Sequence, residues 1–131
     1  MTVEILLVRD EKVVFRLPLG GQAGDAPSLD DAELGRLSDL YAIGANRRRL
    51  RVMFELARGK EMRFSDVMQI VTNPKLAQDC LQPLLQEGLV LHGERGSSYR
   101  ASRRGVVVGV AMTLGVGGML DALERDLGDA P

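Results

Sequence analysis

The stretch SDVMQIVTNPKLAQDCLQPLLQEGLVLHGERGSSYRA, residues 65–101, decides how the chain folds. Ser65 can cap a brief helix that runs through Val71, with Asp66 in its first turn. Thr72, Asn73 and Pro74 form a turn, because proline cannot continue a helix that precedes it. A second helix is expected from about Lys75 to Glu87, closed by Gly88. Leu89–His92 and Ser98–Ala101 then read as two strands around the turn residues GERGS.

Upstream, Asn46 opens a helix on which Leu50, Met53, Phe54 and Ala57 recur at helical spacing, and Gly59 ends it. A short extended piece, Glu61 to Phe64, joins it to the stretch above. Earlier still, Ser28 or Asp30 caps a helix carrying Leu34, Leu37 and Tyr41. Val3–Arg9 and Lys12–Leu17 read as a hairpin, followed by a Gly- and Pro-rich linker from Pro18 to Ser28. Downstream, Ser102 precedes a long apolar helix ending near Leu127. Short helix, tight turn, helix and hairpin make the winged helix-turn-helix pattern. The expected class is thus mainly α with a small β component, with an N-terminal β-hairpin and a long C-terminal helix added. The expected division is hairpin and linker over 1–27, winged helix-turn-helix over 28–104, and C-terminal helix over 105–131.

The bulk numbers fit one compact domain with an appended element. Of 131 residues, 45% are hydrophobic and only 4% aromatic, so Leu, Val, Ile, Met and Ala must build the core. Cys80 is the lone cysteine, which rules out an intrachain disulfide and a paired-thiol zinc site. The N-terminal MTVEILLVRDEK lacks a basic start and a long apolar run, so it does not read as a signal peptide. The apolar run Val106–Leu120 is shorter than the roughly twenty residues of a membrane span and is broken by Gly109, Gly115, Gly117 and Gly118. It reads as a buried helix in a cytoplasmic protein.

Charge is unevenly spread. Residues 1–45 carry four basic and eight acidic side chains, residues 46–104 twelve and six, and residues 105–131 one and four. A cationic middle between acidic flanks suits a module that grips a polyanion.

NRRRLRVMFELARGKEMRFSDV (residues 46–67), LLQEGLV (residues 84–90) and SSYRASRRG (residues 97–105) together resemble the ArsR-like winged-helix repressors, particularly archaeal members. The resemblance covers just under half the chain and implies DNA binding, dimerisation and transcriptional control. Metal-sensing members carry a Cys-rich motif on the recognition helix, where this chain has only Cys80, so no metal or other cofactor is expected. The N-terminal hairpin and Pro83 also depart from the usual pattern.

In such a fold the second motif helix enters the major groove. With Leu76, Ala77, Cys80, Leu81 and Leu84 inward, Lys75, Gln78, Asp79, Gln82 and Gln86 point outward. Asn73, Lys75, Gln78 and Gln82 are the candidate base contacts, because glutamine pairs bidentately with adenine and lysine reaches guanine or phosphate. The candidate phosphate contacts are Arg47, Arg48, Arg51 and Ser65 on the helices, with Arg95, Arg100, Arg103 and Arg104 at and behind the wing. Pro83 should kink the reading helix or end it early. The terminal helix is apolar on nearly all faces, which one small domain cannot satisfy. Val106, Val110, Leu114, Leu120 and Leu123 are therefore the expected seam of a two-fold dimer on double-stranded DNA.

His92 and Cys80 stand alone, and GVVVG and GVGG fit neither the Rossmann nor the P-loop spacing, so nothing argues for an enzyme. A winged helix used for protein–protein contact without direct DNA binding is the alternative, consistent with an expected reading helix that carries Asp79 and Glu87 against Lys75. In a third reading, the N-terminal hairpin senses a ligand or extends the dimer. An effector is not legible.

Overall fold

The computed structural model describes residues 3–19, 28–93 and 98–127. The chain divides into two compact units, Met1–Arg36 and Leu37–Pro131. In the first, β1 (Val3–Arg9) and β2 (Lys12–Leu19) pair antiparallel. Strand β2 runs two residues past the expected Leu17, to Leu19. Asp10 and Glu11 take positive φ of 50° and 66°, the left-handed pair that lets a two-residue loop match the twist of its strands. Leu7 and Val8 on β1, with Val14 and Phe15 on β2, are exposed.

Helix α1 (Asp31–Gly44) starts where the Asp30 carboxylate accepts from the N–H of Glu33 at 2.8 Å. Its expected apolar positions Leu34, Leu37 and Tyr41 are exposed, and only Ile43 near its end is buried. In the second unit, α2 (Arg47–Ala57) is capped by Asn46, whose side chain accepts from Arg49 N. The buried face of α2 is wider than the Leu50–Met53–Phe54–Ala57 stripe. Val52, Met53, Leu56 and Ala57 are buried, while Leu50 and Phe54 are half-buried. The helix is covered on several sides by α3, α4, α5 and β5, so no single stripe describes it.

Strand β3 (Met62–Arg63) leads straight into α3 (Phe64–Val71). The helix is capped at Arg63, not at Ser65: the Asp66 carboxylate accepts from Arg63 N at 2.8 Å, and Ser65 lies exposed in the first turn. Thr72 closes α3 in the left-handed region, at φ 67°. Helix α4 (Pro74–Gln86) has Pro74 in its first turn and Asn73 as N-cap, with Asn73 Oδ1 accepting from Lys75 N and Leu76 N. Ala77, Cys80, Leu81 and Leu84 are buried as expected. Leu76 is a correction, being 45% exposed on the first turn.

Pro83 does not break α4, which continues to Gln86. Proline at 83 deprives the Asp79 carbonyl of its normal donor four residues on. The Arg49 guanidinium fills the gap, donating from Nη2 to Asp79 O at 3.3 Å, from Nε to Cys80 O at 3.2 Å and from Nη1 to Ile43 O at 3.1 Å.

Gly88 (φ 69°) turns the chain into β4 (Val90–His92), which pairs antiparallel with β5 (Ser98–Ala101) in a sheet ordered β3-β5-β4. The tip between them, with Arg95, lies outside the described residues, as does most of the linker. His92 stacks on its cross-strand partner Tyr99, ring centroids 4.2 Å apart. The core is deepest at Val52, Leu56, Val67, Val71, Leu84 and Leu89.

Ser102 caps α5 (Arg103–Val110), accepting from Gly105 N at 3.0 Å. The helix continues through a π turn (Ala111–Gly115) into α6 (Val116–Leu127). Gly105 and Gly109 are the buried residues of α5. A Cβ at Gly105 would overlap the Leu89 carbonyl, and one at Gly109 would lie 2.9 Å from that of Ala57. Close contact at Gly109 seats α5 on Met53 and Ala57 of α2, and that at Gly105 seats it on Leu89 ahead of β4. Beyond those contacts the expectation of a buried helix fails. Val107, Leu114, Val116 and Leu120 are exposed, and the segment Arg103–Asp126 is long and apolar enough to cross a membrane. An all-round apolar helix has only one face to spend on so small a domain.

Candidate nucleic-acid interface

Helix α4 presents Lys75, Gln78 and Gln82 along one exposed stripe, at i, i+3 and i+7, with Asp79 beside it. Thirteen residues make it about 20 Å long. Its buried face is held by Ala77, Cys80, Leu81 and Leu84, so the polar stripe is fixed outward by packing. Burial pushes the Cys80 thiol pKa up, against the opposing pull of Arg49. That thiol stays protonated in the core. Asn73 stands at the head of the stripe, but its Oδ1 is engaged in capping, which leaves only its amide N–H groups for another partner.

The arginines do not form one patch. Arg48 Nη1 donates to Val71 O at 3.3 Å, where α3 ends and the turn to α4 begins. Arg48 also shares a crevice with Asn46, Leu76 and Asp79, so the start of α2 lies against the first turns of α4. Arg47 lies next to it, exposed and without an ion-pair partner among the described residues. Arg51, one turn along α2, is 3.4 Å from Glu55 and 5.9 Å from the Phe54 ring centre. Arg104 is fastened to the other end of α4, with Nη1 donating to Glu87 O at 2.6 Å and lying 3.8 Å from its carboxylate. Arg100 is exposed on β5 and Arg103 on the first turn of α5. Ser65 is exposed on α3. The expected set is thus divided: Arg47 and Arg48 attend the head of α4, Arg104 its tail, and Arg100 the wing.

Arg49 was not among the candidates, yet it makes more hydrogen bonds than any of them. Its signal in the sequence is Pro83, which orphans a carbonyl and so requires a donor from elsewhere. An ionic cluster lines the cleft between α2 and α3. Glu55 is 2.6 Å from Lys60 Nζ and its carboxyl is held below the ordinary value of 4.5, chiefly by the bond from Lys60. That cluster stabilises the fold and is remote in sequence from the α4 stripe. No group of three or more His, Cys, Asp or Glu side chains that could hold a metal ion occurs among the described residues.

These features define a winged helix-turn-helix unit: α3 and α4 as the helix pair, β4 and β5 as the wing, and α2 and α5 as the support. Solved structures share the fold. An antimony-specific transcriptional repressor, AntR, is 24% identical over 79% of this chain and 95% of its own, with a TM-score of 0.59. The homodimeric winged helix-turn-helix DNA-binding domain of a possible ArsR-family transcriptional regulator from Mycobacterium bovis is 25% identical, covering 72% of this chain and 90% of that one, with a TM-score of 0.50. MepR, a transcription regulator of the Staphylococcus aureus multidrug efflux pump MepA, is 12% identical over 77% of this chain and 87% of its own, with a TM-score of 0.50. No family model and no curated protein matches the chain.

Proposed function

We propose that the chain is a homodimeric, sequence-specific DNA-binding transcriptional regulator of the ArsR-like, archaeal kind, acting in the cytoplasm and not as an enzyme. The observation that carries this reading is the outward stripe of α4 with Arg48 anchored at its head. In the proposed complex, α4 enters the major groove, where Lys75, Gln78 and Gln82 meet base edges and Asn73 donates through its amide. Arg47 and Arg48 hold the phosphates beside the N-terminal end of α4, and Arg100 holds those under the wing. Ser65 and Arg103 extend these contacts. Arg51 and Arg104, each with a carboxylate neighbour, contribute less.

A partner copy covers the apolar surface that the single chain leaves in water. Val106, Val110, Leu114 and Leu120 are exposed and Leu123 half-buried, while α1 adds Leu37 and Tyr41. So long an apolar face is unstable alone. Two-fold pairing would also present two α4 helices to a palindrome.

The test is a salt titration of binding to random-sequence duplex DNA. Four such arginines on each of two protomers predict that log K falls against log salt with a slope of roughly −7. Arg47→Gln should make the slope shallower by about two, one contact per protomer. Binding that is absent at low salt, or insensitive to salt, contradicts the proposal.

A further inference from the structure

Between α2 and α3 runs an open groove of about 550 Å³ lined by Arg47, Arg48, Leu50, Arg51, Phe54 and Ile70, and it shares Arg48 with the crevice at the head of α4. Its composition does not match that of a surface that meets only phosphates. The lining holds three guanidinium groups and no carboxylate, since Glu55, the neighbour of Arg51, lines the adjoining cleft instead. Its floor is apolar, made by half-buried Leu50, Phe54 and Ile70. The Phe54 ring has Arg51 at 5.9 Å and Arg58 at 5.3 Å from its centre. A phosphodiester would use the guanidinium groups and leave the floor wet. An anion with a flat apolar body would use both, in a volume suited to a small molecule.

We propose that this groove binds a small amphipathic anion, an aryl or alkyl carboxylate class of ligand, and that the bound anion releases DNA. The carboxylate meets Arg47, which has no ion-pair partner among the described residues, with Arg51, shared with Glu55, supporting it from the next turn. Arg48 stands at the rim, and the apolar body covers Leu50, Phe54 and Ile70. Occupancy neutralises the cations that would otherwise hold phosphate beside α4. DNA and ligand therefore bind antagonistically, each weakening the other by the same factor. The regulatory half of this proposal rests on the DNA-binding reading above. The binding half does not.

The experiment titrates the full chain with 2-naphthoate, following backbone amide shifts by NMR in the absence of DNA. Saturable shifts are expected at Leu50, Phe54 and Ile70. The uncharged 2-naphthamide should bind about tenfold more weakly, the loss of one charge-assisted contact. The Arg47→Gln/Arg51→Gln double variant should lose tenfold or more, whereas Arg125→Gln, which removes the same charge from α6, should leave binding unchanged. Shifts centred elsewhere, or equal affinity for acid and amide, overturn the site. In a second arm, 2-naphthoate should lower the affinity for a random duplex, while acetate at equal ionic strength should not. Binding in the groove with unchanged DNA affinity overturns the antagonism and leaves the site. If the chain binds no DNA, the first arm still decides the site, and the failure belongs to the DNA reading.

Discussion

The most structure-specific prediction concerns Arg49 and Pro83. Arg49→Met removes the guanidinium while keeping an apolar stem. It takes away the donors to Ile43 O and Cys80 O, both partly buried, and to Asp79 O, which is exposed. Hydrogen bonds to charged groups are worth about 1.5–3 kcal/mol each. The exposed bond is discounted, and Cys80 O keeps its place in the helix ladder. The expected loss is then about 2–4 kcal/mol, enough to threaten a small domain. Pro83→Ala supplies the missing N–H to Asp79 O, so one of the three guanidinium bonds becomes redundant. In the Pro83→Ala background, Arg49→Met should therefore cost about 1 kcal/mol less. Urea denaturation of the four proteins at one fixed chain concentration closes the cycle. Additive effects, with coupling near zero, refute the claim that Arg49 stands in for the absent proline donor.

Three further outcomes follow. Gly105→Ala drives a methyl group into the Leu89 carbonyl and should destabilise by more than about 2 kcal/mol in the same assay, whereas Gly117→Ala, with open space around it, should not. Glu55 has its folded-state pKa lowered by Lys60. Its contribution is thus complete above the unfolded value of 4.5 and fades as pH falls below it. Glu55→Gln should flatten that acid limb in a stability–pH profile. Finally, Leu114→Asp/Leu120→Asp should convert a two-chain mass to one in sedimentation. A wild-type chain that sediments as a monomer, or partitions into membranes, contradicts the dimer.

The helix-turn-helix and wing were legible because their signals are local. Thr72-Asn73-Pro74 marks the turn between the two helices, Gly88 ends the second, and the apolar spacing of Ala77, Cys80, Leu81 and Leu84 sets the orientation of α4. What sequence could not supply was the destination of the arginines. Arg48, Arg49 and Arg104 each donate to a backbone carbonyl 17 to 31 residues away, and no count of charges separates such anchors from groups that face solvent. The width of the buried face of α2 was hidden for a similar reason. Periodicity reports one contact face, and α2 has several. Leu76 misled because an apolar residue in a first helical turn can lie beyond the edge of the core.

The central claim is that, on DNA, α4 reads bases while the start of α2 grips the backbone without reading sequence. Selection of bound sequences from a random duplex library tests it most directly, with wild type, Gln78→Ala/Gln82→Ala and Arg47→Gln compared in parallel. The account predicts an enriched palindrome with half-sites about 10 bp apart for wild type. It predicts lost preference at particular positions for the glutamine variant, and uniformly weaker binding to an unchanged motif for Arg47→Gln. No enriched motif, or a motif that the glutamine variant retains in full, would contradict it.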